Sequence, residues 1–373
     1  MKIRSGRHTL CIGILLTVLC VPVLSGCHHQ AAGASGSIYQ RANAEFAAGA
    51  YEKAVSLYRR AGKEDQGPSY YALGECYQYG YGVSQDFKKA LYWYEKSAEL
   101  GYAAGGSAAG DFYYSGWGVE KNYEKAFSWY LKAAAQGDTY AQYSLGVCYR
   151  EGAGVPQDYE KSVLWYTRAA EKGEPSAQND LGSMYKNGMG VPRDDTTASS
   201  WYKKGADKGL ALAQWNMAQN FSNGRGVKKD FKKAAFLFRR AAEQGEVEAQ
   251  FDLGISYANG FGVMRDLEEA AYWFEKATKQ GSLGAQYNLA AFYFKGKGVE
   301  KDVVKAVALC LDAAERGYDR AQFTTGTMYL TGTDGLPKDR DKAVHWLQLA
   351  AEQGDKKARE KLRSLGIVLP KKK

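Results

Sequence analysis

The sequence predicts an all-α solenoid built from antiparallel helix pairs. Three observations predict it. First, a Gly-x-Gly-Val loop recurs, with its second glycine at Gly82, Gly118, Gly154, Gly190, Gly226, Gly262 and Gly298, always 36 residues apart, and an eighth copy at Gly335, one residue late. A fixed period of this length marks a repeat array. Second, apolar residues within each period fall at i, i+4 and i+8, as at Ala141, Leu145 and Tyr149, the spacing of one helical face. Third, glycine and aspartate punctuate each period where helices must stop and start, as at Gly152 and Asp158.

The chain opens with a targeting segment. Lys2, Arg4 and Arg7 form a basic region, Leu10–Val23 is apolar but short for a membrane span, and Leu24-Ser25-Gly26-Cys27 follows. That tetrapeptide resembles a bacterial lipobox. The resemblance implies that residues 1–26 are a lipoprotein signal peptide, cleaved before Cys27, with lipid added to the Cys27 thiol. Several acyl chains anchor a protein stably where one does not. His28, rather than aspartate, at the second mature position implies sorting to the outer membrane, facing the periplasm or the cell surface. Residues 27–37 are small and polar and read as a flexible tether.

Removing the leader takes three positive charges, so the net charge falls from +9 to +6. The remaining charges are mixed along the helices, which reads as solvated faces and not as a nucleic-acid footprint. The Lys371-Lys372-Lys373 end reads as a frayed tail. Cys76, Cys148 and Cys310 remain after processing. Cys76 and Cys148 stand two repeats apart, far beyond the roughly 7 Å Cα separation that a disulfide tolerates. All three are expected as small buried hydrophobes.

Residues 38–68 read as a first helix pair. Gly49, Tyr51, Ala54, Tyr58 and Ala61 resemble the second half of a tetratricopeptide repeat. Eight longer repeats then occupy residues 69–357. In the third copy, helix A is expected over Ala141–Glu151. Gly146 would let helix B approach, Gly152 would end helix A, and Val155 would plug the loop between the helices. Asp158 would cap helix B, and Trp165, Ala169 and Ala170 would face inward. The tryptophan recurs at Trp93, Trp129, Trp201, Trp273 and Trp346. Departures are expected to have consequences. Gly105-Gly106 should weaken the second copy's first helix. Asp194-Asp195 should shift or double the fourth copy's cap. Gly332–Pro337 is an insertion in the eighth. Residues 358–373 complete the chain as a capping helix and basic tail, the helix itself reading from Lys356 to Ser364.

These eight copies resemble the Sel-1-like repeat family, relatives of the tetratricopeptide repeat with a longer internal loop. The resemblance implies a right-handed α-solenoid of helix pairs. Bacterial members imply roles in envelope assembly, exopolysaccharide export or host contact.

No catalytic constellation is legible. His28 and His29 sit in the tether, and His345 precedes a core-type tryptophan. No His/Cys spacing suits a metal, and Gly-x-Gly joins helices here instead of cradling phosphate. The expectation is a binder without cofactor or metal. A cell-wall or β-lactam hydrolase, an activity reported for some relatives, is the enzyme alternative. The residues that vary between copies then become the guide. Counting from Ala141 as position one, positions three and ten face away from the core at 100° per residue. They supply a candidate groove of Tyr71, Tyr114, Tyr143, Arg150, Lys186, Trp215, Phe251, Tyr287, Phe294 and Phe323. Aromatics and arginine favour protein or peptide partners, and aromatics also stack on sugars, which makes a polysaccharide or host protein the alternative ligand. Packing between adjacent A helices is the competing role for position three. The loop residues Tyr81, Trp117, Met189 and Phe261 form a second candidate edge, and packing on a neighbouring repeat is their competing role.

Overall fold

The computed structural model describes residues 36–61 and 65–367. Nineteen helices lie among the described residues. The leader, most of the tether with Cys27, and the Lys371–Lys373 tail fall outside them.

The third repeat shows how each unit is made. Helix A is α7 (Thr139–Glu151) and helix B is α8 (Tyr159–Glu171). Each A helix packs on its own B helix, and each B helix on the next A. Buried apolar residues accordingly form successive clusters along the array, with no single centre. Successive A helices also touch directly, α3 (Gln66–Tyr79) with α5 (Ala103–Ser115) and α9 (Pro175–Asn187) with α11 (Ala211–Asn223). The A helices therefore line the inner curve of the stack.

Helix A starts two residues before its apolar stripe. Gly137, at φ 90°, turns the chain, and the Asp138 carboxylate accepts from the Ala141 N–H at 2.6 Å. Thr139 and Tyr140 form the first turn but stay outside the core, so the stripe begins late. Gly152 ends the helix in the left-handed region, and Asp158 caps helix B by accepting from the Lys161 N–H, both as the sequence predicts. Val155 is partly buried against the cluster below it.

Three local expectations need correction. The second copy's first helix, α5, is as long as its counterparts at 13 residues. Gly105 is required for contact: a Cβ there would stand 2.6 Å from the Ser97 side chain, and one on Gly106 would crowd Ala133 at 3.3 Å. Close packing offsets their low helix propensity. The fourth copy's cap is neither shifted nor doubled. Asp194 alone accepts from the Thr196 and Thr197 N–H groups, while Asp195 pairs with Arg193. Trp165 is not the inward residue of helix B either. Ser162, Tyr166, Ala169 and Ala170 are, at i, i+4, i+7 and i+8. Tyr166 is fully buried, whereas Trp165 sits at the rim with the Arg168 guanidinium 4.5 Å from its ring.

Tyr166 explains Gly146. A Cβ on Gly146 would lie 2.4 Å from the Tyr166 ring, and the same conflict pairs Gly74 with Tyr94, Gly110 with Tyr130, Gly182 with Tyr202 and Gly254 with Phe274. The seventh copy carries Ala290 where helix B offers only the small Cys310. The second loop glycine has a different task. At Gly154, φ is 71° and a Cβ would meet the Tyr123 carbonyl oxygen at 2.2 Å, so the loop rests on the backbone of the preceding B helix. Gly335, within the insertion, makes no such approach, and Leu336 is buried there instead.

A glutamine ladder stitches the repeats together. The Nε2 groups of Gln142, Gln178, Gln214, Gln250 and Gln322 each donate to the last buried alanine carbonyl of the preceding B helix, at 3.0–3.4 Å. This answers backbone acceptors at a helix end that would otherwise be buried unpaired. The recurring Ala-Gln pair, as at Ala141-Gln142, was the available sequence signal.

Both ends of the stack are covered. Phe46 and Tyr51, from α1 (Ile38–Ala47) and α2 (Tyr51–Arg59), pack edge-on and tilted against Tyr81. At the other end α19 (Lys356–Ser364) buries Ala358 and Leu362 against Leu347, Ala350 and Ala351 of α18 (Arg340–Glu352). Cys76, Cys148 and Cys310 are free thiols and buried, as small core residues.

Candidate partner-binding groove

Position three of each A helix turns out to lie at the seam between repeats. Tyr71 packs on Tyr94 and Tyr102, and Phe251 on Phe274. Tyr143 packs tilted against Tyr166 and reaches Asp180 of the next repeat at 3.4 Å. The Trp215 indole donates to Asp252 at 2.7 Å, and Tyr287 pairs with the Thr324 hydroxyl at 3.1 Å. Phe323 packs beside Leu347 and Leu362. Tyr143, Trp215 and Tyr287 thus tie their repeat to the next A helix through their polar atoms, whereas Tyr71 bonds Glu75 of its own helix and Phe251 and Phe323 contribute packing alone.

Position ten divides. The Tyr114 hydroxyl donates to Glu151 at 2.8 Å. Arg150 is pinned by Asp180 at 3.1 Å and Glu151 at 3.2 Å, and its guanidinium lies 5.9 Å from the Tyr166 ring. Tyr143 and Arg150 are thus engaged internally, contrary to the expectation that folding leaves them free. Lys186 has no carboxylate in ion-pair range among the described residues. Burial and the nearby Arg225 both lower its pKa. Phe294 is 38% exposed. Lys186 and Phe294 are the two candidates whose ends remain available.

Composition reading missed a row of carboxylates on this face. Burial raises Glu75 to about 7, opposed by a hydrogen bond from Tyr71. Burial raises Asp111 to about 7 as well, opposed by Tyr130 and Tyr140. Asp252 is raised to about 6 by burial, opposed by Trp215 and Gln219. No cation lies within ion-pair distance of these three among the described residues. Sequence reasoning treated acidic residues as caps, and acids inside A helices carry no capping signal.

Asp252 borders a cavity of about 140 Å³, lined also by Gln219, Ser222, Phe231, Phe238, Ile255 and Phe261. It exists because position ten shrinks. Gln78, Tyr114, Arg150 and Lys186 are long, Ser222 and Ala258 are short, and Phe294 and Leu330 are large again. A shallower depression near Tyr293, Lys301 and Asp334 lies beside the eighth repeat's insertion.

The loop-edge residues pack backward. Trp117 lies on Phe87 and Phe112, Phe261 stacks on Phe231 at 5.0 Å, and Met189 packs in the core cluster of Tyr166 and Leu181. A third surface emerges only in three dimensions. Tyr92, Leu164, Phe236 and Tyr272 are exposed along the outer B helices, with cations over three of the rings, from Lys96, Arg240 and Lys276. Among the described residues no group of three or more His, Cys, Asp or Glu side chains is placed to hold a metal. No described helix is long and apolar enough to cross a membrane.

A model of the Sel1 repeat matches the chain eight times, over residues 67–102, 107–138, 139–174, 175–210, 211–246, 247–282, 284–318 and 319–355. The chain belongs to the Sel1 repeat family. No curated protein matches it significantly. Two solved structures of Sel1 repeat type are similar over nearly the whole array. One is a protective antigen present in uropathogenic Escherichia coli strains and displaying an SLR fold, 32% identical with a TM-score of 0.61, covering 89% of this chain and 83% of that one. The other is a Sel1 repeat protein from Oxalobacter formigenes, 31% identical with a TM-score of 0.59, covering 88% and 90%. This Sel1 repeat chain is thus an all-α repeat scaffold, an architecture typical of protein–protein interaction.

Proposed function

We propose that this Sel1 repeat chain is a lipid-anchored binding scaffold of the bacterial envelope, which holds a protein or peptide partner on its inner A-helix face. The observation that carries the reading is the contrast between two sets of residues. The glycine, alanine and ring positions that build the stack repeat almost unchanged. The inner face instead changes from copy to copy and retains charged groups that have no ion-pair partner among the described residues, Lys186 and Asp252 above all. A folded chain tolerates partly desolvated charge poorly, so such groups mark places where a partner completes the pairing. The Leu24–Cys27 lipobox supports the anchor, and likeness to an antigen of a uropathogen supports an envelope location. The position-three rings are occupied by packing, which favours a peptide or protein ligand over sugar stacking. The paired arrangement of groups needed for hydrolysis has no counterpart in the residues assigned above, so binding, not turnover, is the activity we assign.

The experiment is photo-crosslinking in cells, with a crosslinking residue replacing Phe294 on the inner face or Phe236 on the outer face. A discrete adduct from position 294 alone is expected. Adducts from position 236 alone would move the binding surface to the B helices. The same strains carrying Cys27→Ser are expected to release the protein from membranes, and retention would contradict the anchor.

A further inference from the structure

The cavity beside Asp252 has a filled counterpart two repeats earlier. Adding 72 to each residue number of the earlier site relates the two. Tyr143, Arg150, Tyr166 and Asp180 become Trp215, Ser222, Phe238 and Asp252. In the earlier site a carboxylate at position four accepts from the position-three ring of the preceding repeat, Tyr143 to Asp180. The later site repeats this, Trp215 to Asp252. In the earlier site Arg150 then places its guanidinium against Asp180 and over the Tyr166 ring. In the later site the arginine is a serine, and the 140 Å³ cavity opens between Ser222, Phe238 and Asp252. Aspartate occupies position four only in these two repeats.

We propose that this cavity receives an arginine side chain of the bound partner, which makes with Asp252 the ion pair that Arg150 makes with Asp180. The proposal rests on the inner-face binding reading and names what that face recognises. The charge balance supports it. Trp215 and Gln219 both donate to Asp252 Oδ2, at 2.7 and 2.6 Å, and no donor stands on Oδ1 among the described residues. The charge that acts on Asp252 is that of Glu248, another carboxylate, whose repulsion adds to the cost of burial. A guanidinium delivers paired N–H donors in one plane and can lie flat over an aromatic face, the role Phe238 offers here. Phe231 already accepts a cation, with Lys229 Nζ 4.5 Å from its ring.

The test uses the full chain and three small ligands: Nα-acetyl-arginine amide, Nα-acetyl-lysine amide and Nα-acetyl-citrulline amide. The readout is the NMR resonance of the Trp215 indole N–H, assigned with Trp215→Phe. The arginine compound is expected to shift this resonance saturably at millimolar concentration, and citrulline, its neutral counterpart, is not. Ser222→Arg fills the cavity as Arg150 fills the earlier one, so it is expected to raise the melting temperature and to weaken arginine binding at least tenfold. Asp252→Asn is expected to weaken it equally. Equal shifts from arginine and citrulline would overturn the charge pairing, and equal shifts from arginine and lysine would overturn the guanidinium preference. An undiminished response in folded Ser222→Arg would overturn the location. Adducts at position 294 that persist in Ser222→Arg would remove the cavity as the partner's anchor while leaving inner-face binding intact. Arginine binding without any adduct at position 294 would sustain the cavity chemistry and reject the binding face.

Discussion

At the scale of single residues, carboxylates divide by where the repeat places them. The cap residues Asp86, Asp158, Asp194, Asp230 and Asp339 are held below their ordinary value of 3.8, mainly by hydrogen bonds from their own helix N-termini or first-turn side chains. Glu75, Asp111 and Asp252 are pushed up by burial, to about 7, 7 and 6. The signs give the stability profile. A raised carboxylate binds its proton more tightly in the folded chain, so its contribution is complete below the unfolded value near 4 and is lost as pH rises through 6 to 7. The caps contribute above their unfolded value and lose that contribution as pH falls below it. Thermal stability should therefore peak near pH 4, where the caps are still ionised and the buried carboxylates still hold their protons. The melting midpoint is expected to be roughly 5 °C higher there than at pH 7.5, on the scale of a few kcal/mol. Differential scanning fluorimetry across pH 3.5–8 measures it, and a midpoint rising steadily to pH 7.5 would contradict the assignment. Caps were legible in sequence because aspartate precedes a helix at a fixed spacing. Asp111 and Asp252 were not, because an acid inside a helix looks solvent-facing until the neighbouring repeat buries it.

At the scale of the element, the glycines carry the argument. Gly146 and Gly154 were both readable as necessary, but for Gly154 the chain's periodicity showed only that it recurs. The structure supplies the reason, a contact with the backbone of the preceding B helix. A Cβ at Gly154 meets both a left-handed φ of 71° and the Tyr123 carbonyl at 2.2 Å. At Gly335 the φ of 82° is equally left-handed, but the nearest atoms are 3.6 Å away. The backbone conformation costs about 1–2 kcal/mol in both cases, and the clash adds about 1–3 more in the first. Urea denaturation should therefore find Gly154→Ala destabilised by roughly 2 kcal/mol more than Gly335→Ala. Equal losses would show that φ alone is responsible. The tryptophan of helix B taught the opposite lesson. Its size made it look like the core residue, yet the Ser162, Tyr166 and Ala169 spacing belonged to the residue beside it.

At the scale of the whole molecule, regularity and irregularity have separate tasks. The array, its register and its covered ends were legible because eight copies agree and each position can be checked against seven others. The groove was legible only as a list of faces. The position-three rings and Arg150 proved to serve the stack, and the bonds Tyr143–Asp180, Trp215–Asp252 and Tyr287–Thr324 join residues 37 positions apart, which no single repeat displays. What the stack leaves over is an inner face with Lys186, Phe294 and the Asp252 cavity, and that surplus is where a partner finds specific contacts. The most direct measurement is quantitative co-purification of the full chain from membranes, unaltered and with Lys186→Ala plus Phe294→Ala, beside a melting curve for each. The account predicts a stoichiometric partner that the double variant loses while it remains folded. Full retention of that partner by the folded double variant would contradict binding on the inner face.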